Sequence, residues 1–152
     1  TIDIKGLDET MARLRSLPVK LQKKGIQSSM RKGANKLKRA IVANAKVFDD
    51  PNTKESIAKN IYVQTDNRYF RRTGNFKMRV GVLGGGKTKA RNSSYPGGDT
   101  WYWRLLEFGT VNMPAQPFIR PALQSTQGVM LETVAGSLSV YIDKELVKLG
   151  AQ

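Results

Sequence analysis

The stretch VGVLGGGKTKA, residues 80–90, holds Gly81, four residues, and then Gly86-Lys87-Thr88. This is the spacing of a phosphate-cradling loop, in which glycine amides wrap phosphate oxygens, a lysine reaches the terminal phosphates and a hydroxyl holds magnesium. Such a loop works where a strand turns directly into a helix whose N-terminus faces the phosphates. A strand precedes it here, but Thr88 is followed by KARNSSYPGGD, which has no apolar period and contains Pro96 and paired glycines. A carboxylate to hold the metal is on offer at Asp143, inside an expected helix with nine residues after it. Neither the length nor the alternation supports the several parallel strands and crossover helices of a nucleotide hydrolase. The stretch therefore reads as a strand running into a flexible basic loop, and the nucleotide hydrolase is set aside.

Other chemistry is sparse. The chain has no cysteine and no histidine, which removes disulfides, thiolate metal sites, thiol nucleophiles, the commonest general base and the commonest transition-metal ligand. The acidic pairs Asp49-Asp50, Asp8-Glu9 and Asp143 with Glu145 suit a turn, a helix start and a helix tail, and none has metal-site spacing. Glu107 is the one acid in an apolar neighbourhood, where burial would raise its pKa unless a basic residue or backbone amides hold it charged. No enzyme, no cofactor and no metal is expected.

Charge is the strongest signal. Lys and Arg number 26 against 12 acids, a net charge of +14, which makes a polyanionic partner a natural expectation. Lys24, Arg31 and Lys38 recur every seven residues, as do Lys32, Arg39 and Lys46 one row over, and no acid occurs from Lys20 to Lys46. These cations lack the i,i+4 partners of a merely solubilising face. Lys87, Lys89 and Arg91 add a basic loop, and RYFRR places cations beside Tyr69 and Phe70. Contact with a phosphate backbone needs only such density of charge. No recognition-helix, zinc-finger or single-strand signature supports sequence reading. The aromatics of WYWRLLEF sit among leucines and are expected in a core or interface.

The elements that would position these groups follow from pattern. IDIKG reads as a short strand, and LDETMARLRSLP as a short helix with Asp8 as N-cap and Pro18 as its stop. From 19 to about 47, Ile26, Met30, Leu37 and Ile41, with Gly33 and Ala34 between, form one stripe at helical spacing opposite the basic face. A turn at FDDPNTKES leads to a strand from Ile57, a basic connection with a turn at Thr73-Gly74, and a half-buried antiparallel strand in FKMRVGV. Residues 84–98 are expected to be a long mobile loop. TWYWRLLEFGT is a strand or a short helix ending at Gly109, VNMPAQPFIRPAL an irregular crossing, and 121–149 a second long helix. With 152 residues and 39% apolar content, one α+β domain is expected over 1–152, an antiparallel sheet packed with a long basic amphipathic N-terminal helix and a long C-terminal helix. No apolar run approaches the ~20 residues that cross a bilayer, and TIDIKGLDET lacks the pattern of a signal peptide, so a cytosol-like compartment and no membrane contact are expected.

Two segments together resemble a family. IKGLDETMARLRSLPVKLQKKGIQSSMRKGANKLKRAIVANAK looks like the opening of the tail-completion, or head–tail joining, proteins of long-tailed (lambdoid) bacteriophages. YWRLLEFGTVNMPAQPFIRPAL is similar to that family's Y…EFGT…PFxRPAL signature, matched here by Tyr102, Glu107, Phe108, Gly109, Thr110, Pro117, Phe118, Arg120, Pro121, Ala122 and Leu123. One departure is VFDDPNTKES, where family members carry an RTG-L turn; the RRTGN of this chain lies later.

The resemblance implies a non-enzymatic subunit of the virion neck or upper tail, assembled in the host cytoplasm. Its partners would be other neck and tail proteins, further copies in a homo-oligomeric ring, and packaged DNA touched without sequence preference. It further implies that Gly109 allows a sharp turn, that Pro117 and Pro121 hold an extended crossing on either side of Arg120, that Phe118 anchors it, and that Arg120 meets a carboxylate, either Glu107 or an acid of the next subunit. The alternative reading is a non-specific nucleic-acid-binding protein outside the virion.

Overall fold

The structure is a computed structural model that describes residues 6–84 and 95–150. The strand expected in IDIKG lies outside the described residues except for Gly6, as do residues 85–94 of the expected loop. The described chain runs α1 (Leu7–Arg15), α2 (Val19–Ala45), a 3-10 turn (Lys46–Phe48), a second 3-10 turn (Ala58–Asn60), β1 (Ile61–Thr65), α3 (Asn67–Thr73), β2 (Met78–Val82), α4 (Trp103–Phe108) and α5 (Ile119–Gly150). It is an α+β arrangement in which the two strands pair antiparallel, with Asp66 N donating to Lys77 O at one end and Leu83 N to Asn60 O at the other. The chain divides into two compact units.

The first unit holds residues 6–36, Thr65–Met78 and 127–150. α1 begins at Gly6 and not at Asp8, because the Gly6 carbonyl already accepts from Thr10 N at 3.0 Å. Asp8 and Glu9 instead sit in the first turn, where carboxylates oppose the positive end of the helix. Leu14 and Leu17 are buried with Leu138 and Ile142 of α5, flanked by Met11, Leu21, Ile26 and Leu146. Two glycines of α2 set how close the helices come. A Cβ on Gly25 would lie 2.5 Å from the Tyr141 ring, and one on Gly33 2.4 Å from Val134 Cγ2 and 3.0 Å from the Met130 carbonyl. The Tyr141 hydroxyl donates to the Leu21 carbonyl at 3.1 Å, which fixes the same contact by a polar bond.

α3 occupies what the pattern reads as a basic connection. Asp66 accepts from Tyr69 N at 2.9 Å as a side-chain N-cap, and Gly74, at φ 75, closes the helix by donating to Phe70 O at 2.8 Å. Two good caps thus hold a helix of seven residues, too short to show a period.

The second unit holds, of the described residues, Leu37–Gln64, 79–84 and 95–126. Its core is Ile41, Ala45, Ile57, Ile61, Val82, Phe118 and Ala122, against which Leu37, Phe48, Val80, Tyr102, Trp103 and Leu106 pack. The strand expected from Ile57 starts four residues later. Asp49 is the reason: its carboxylate accepts from Ile57 N at 2.7 Å, Ala58 N at 3.3 Å and Ser56 Oγ at 2.7 Å, and so winds a 3-10 turn there. TWYWRLLEFGT resolves into the helix α4. α5 begins at Ile119, so Arg120 and Pro121 lie in its first turn and not in an extended crossing.

Candidate functional site

The start of α5 leaves N–H groups without intrahelical partners, as every helix does. Here one carboxylate takes them all. Glu107 Oε2 accepts from Phe118 N at 2.8 Å and Ile119 N at 2.9 Å, and Oε1 accepts from Arg120 N at 3.1 Å. The next residue is Pro121, which has no N–H and is tolerated in a first turn for that reason. Arg120 completes the clasp, donating from Nε to Glu107 Oε1 at 3.2 Å and from Nη2 to the Glu107 carbonyl at 2.6 Å. Glu107, one of the two carboxylates weighed for Arg120, is in contact with it.

Glu107 is only 2% exposed. Burial pushes its carboxyl up, but the three amides and the Arg120 guanidinium outweigh it and hold the group below its ordinary value. Of the two readings of this acid, the one in which a basic residue and backbone amides hold it charged is the one the geometry bears out, because donors aimed at the charged form win. Elsewhere, burial pushes the Tyr102 hydroxyl up, with Glu55 and Asp49 adding to it.

Around the clasp the chain makes a tight corner. Gly109 sits at φ 74, and a Cβ there would lie 2.7 Å from Ala115 N, so only glycine fits. Gly109 N donates to Leu105 O at 2.8 Å, Thr110 pairs with Met113, and Gln116 N donates to Leu106 O at 2.7 Å. Phe118 is fully buried and Tyr102 half-buried, while Thr110, Pro117 and Pro121 are exposed. Phe108 is 66% and Val111 103% exposed, and the Arg120 guanidinium stands 5.4 Å from the Phe108 ring centre. Of the aromatics expected in a core or interface, Trp103 and Tyr102 pack on the core, while Trp101 and Phe108 are exposed. What this corner offers is a rigid, partly apolar surface.

The basic residues fall in both units. In the first, Lys24, Arg31 and Lys32 are exposed on α2, and Arg31 Nη2 donates to Thr65 Oγ1 at 3.3 Å. In the second, Arg39 is exposed and Lys38 half-buried, while Lys46 is exposed in the 3-10 turn that follows α2. None of the six has a carboxylate partner among the described residues. Lys87, Lys89 and Arg91 lie outside the described residues. Arg68, Arg71 and Arg72, the cations of RYFRR, lie on α3, and all three are on the surface.

Of the phosphate-loop spacing, Gly81 is in β2 beside the Tyr62 ring, and Gly86, Lys87 and Thr88 lie outside the described residues. The described residues on either side are firmly tied. The buried Asn60 accepts from Gly97 N at 2.8 Å and donates to Gly98 O at 2.9 Å and Thr100 Oγ1 at 2.8 Å, and Thr100 Oγ1 donates to Leu83 O at 2.9 Å. No helix begins among the described residues after β2 until Trp103. Asp143 lies on α5 and is paired with Arg13.

The profile of the HK97-gp10-like family, described as "Bacteriophage HK97-gp10, putative tail-component", matches residues 8–109. The chain belongs to this family. It is a structural protein of a phage tail, carried in the virion in contact with other tail or neck proteins. The match runs from α1 through the whole of α4 and ends on the corner glycine, so Glu107, Phe108 and Gly109 are within it. Neither a curated protein nor a solved structure matches the chain. No helix among the described residues is long and apolar enough to cross a membrane.

Proposed function

We propose that this tail component acts in tail completion and head–tail joining, as a non-enzymatic subunit repeated in a ring at the neck or upper tail. The family match over residues 8–109 carries the reading, since it supplies the tail assignment from which the joining step is the finer inference. Two features support it. The clasped corner presents Phe108 and Val111 on a rigid base, which suits docking on a neighbouring subunit. The cations Lys24, Arg31, Lys32, Lys38, Arg39 and Lys46, which have no carboxylate partner among the described residues, suit packaged DNA or an acidic partner subunit.

Electron microscopy of lysates from a phage with this gene disrupted tests the reading. DNA-filled heads lying apart from tails are expected, and intact infectious particles would end it. Neutralising Lys24, Arg31 and Lys38 together should weaken the partner contact and flatten its salt dependence with the fold retained. An unchanged salt slope would remove these rows from the interface.

A further inference from the structure

α3 carries Arg68, Arg71 and Arg72 within about 100° of arc at 3.6 residues per turn. All three are exposed, and none has a carboxylate partner among the described residues. Tyr69 and Phe70 turn the other way and are half-buried. Three more cations reach this helix from its neighbours in the first unit. Lys23 lies 5.3 Å from the Phe70 ring centre, Lys77 lies 5.1 Å from the Tyr69 ring centre, and Arg31 holds Thr65 one residue before the Asp66 cap. The one acid of the segment, Asp66, spends a carboxylate oxygen on Tyr69 N.

We propose that this α3-centred cluster is a binding surface for the phosphate backbone of duplex DNA. The charge is of one sign from Asn67 to Lys77, which suits a uniform polyanion, whereas a protein partner needs mixed charges to fix its register. Arginine is the residue whose planar fork matches phosphate oxygens two at a time. The aromatic rings discriminate between duplex and single strand. Phe70 stacks on Phe76 at 4.6 Å with Lys23 over it, and Tyr69 is flanked by Lys77 and, at 6.0 Å, by Arg72. Rings so covered cannot serve as base-stacking platforms, so the surface reads backbone and not bases. This site is separate from the clasped corner, and it stands whether or not the protein acts at the head–tail joint.

The test uses the full chain and fluorescence anisotropy with a duplex of about 24 bp and an oligo-dT of equal length, titrated at several salt concentrations. Each phosphate contact contributes about 0.9 to the logarithmic salt slope, so R68Q/R71Q/R72Q should lower the slope by about 2.7. That makes the affinity lost between 50 and 200 mM salt about forty-fold smaller than for the parent chain. K54Q/K59Q/R104Q, which removes three exposed cations of the second unit, should leave the slope within one contact of the parent. If the triple variant fails to fold, R68Q and R72Q singly should each lower the slope by about 0.9. An unchanged slope in the α3 variants, an equal loss in the control, tighter binding to oligo-dT, or no salt-dependent binding of duplex by the parent chain would overturn the proposal.

Discussion

Replacing Glu107 should cost far more stability than replacing Arg120, although the two form one ion pair. The asymmetry follows from what each leaves behind. Glu107→Ala strands three N–H groups at the head of α5, and the first belongs to Phe118, a residue with no exposed surface. A buried donor without a partner costs about 1–3 kcal/mol, and loss of a helix cap about 1 kcal/mol more. The Ile119 amide is partly shielded and that of Arg120 reaches water more easily, so the sum comes to about 3–4 kcal/mol. Glu107→Gln keeps one acceptor oxygen but points an NH2 at the remaining donors, and should fall near 2 kcal/mol.

Arg120→Ala removes two bonds from a side chain that is 57% exposed, and leaves the carboxylate satisfied by the three amides. Its cost should be near 1 kcal/mol. Urea unfolding followed by circular dichroism measures all three variants, with a thermal shift of about 2–4 °C per kcal/mol as a cross-check in a chain of this size. The gap between Glu107→Ala and Arg120→Ala should persist in molar salt, because a carboxylate held by buried amides is poorly screened. If Arg120→Ala costs as much as Glu107→Ala, or if high salt closes the gap, the clasp is an ion pair and not a cap, and the reasoning fails.

The same carboxylate gives a pH signature. Its pKa is lowered by folding, so the native state binds fewer protons than the unfolded chain; this stability is present above the ordinary carboxylate range and is lost as pH falls through the lowered value. The stability difference between the parent chain and Glu107→Gln should therefore shrink as urea midpoints are taken from neutral pH to pH about 3, and a difference that grows would contradict the assignment. Gly33→Ala should destabilise by about 1–3 kcal/mol, since its Cβ meets Val134 and a main-chain oxygen; Gly128→Ala and Gly136→Ala, in open space on α5, should stabilise by up to about 1 kcal/mol each. Thermal melts of the three variants would show opposite signs, and a neutral Gly33→Ala would refute the close helix contact. Asn60→Ala should cost about 2–3 kcal/mol and speed hydrogen exchange at the Gly97 amide, whose acceptor it removes. Unchanged protection at Gly97 would show that the amide has another partner.

How far the sequence anticipates this structure depends on the length over which a pattern can repeat. α2 spans 27 residues, so the stripe through Ile26, Gly33, Leu37 and Ile41 and the opposing cations repeat several times and are plain. β2 shows because Met78, Val80 and Val82 alternate with Arg79 and Gly81. α3 has seven residues and is specified by its ends, Asp66 and Gly74, which in sequence look like ordinary turn residues. The turn at Ala58–Asn60 is hidden for another reason: Asp49, eight residues upstream of Ile57, imposes it, and no local pattern records that reach. Glu107 was visible as a lone acid among leucines. The direction of its pKa was not, because burial and amide donation oppose each other, and only the number of N–H groups aimed at it decides.

The acids of this chain also explain why the cations named on α2 and α3 have no carboxylate ion-pair partner among the described residues. Asp49 caps a turn, Asp66 caps α3, and Glu107 caps α5 from eleven residues away. Asp50 accepts from Asn52 N, Asp143 pairs with Arg13 and Glu145 with Lys148, while Asp8 and Glu9 face the positive end of α1. Most of the negative charge is thus committed to holding backbone or to pairs away from α2 and α3. Lys24, Arg31 and Lys32 and the three arginines of α3 are left without a carboxylate ion-pair partner among the described residues. A surplus of this size repels itself in the isolated subunit, and salt or a polyanion relieves it. Stability of the free protein should accordingly rise with moderate salt, while binding to phosphate backbone falls. Those opposite responses separate a charged surface built for a partner from one that merely keeps the protein dissolved.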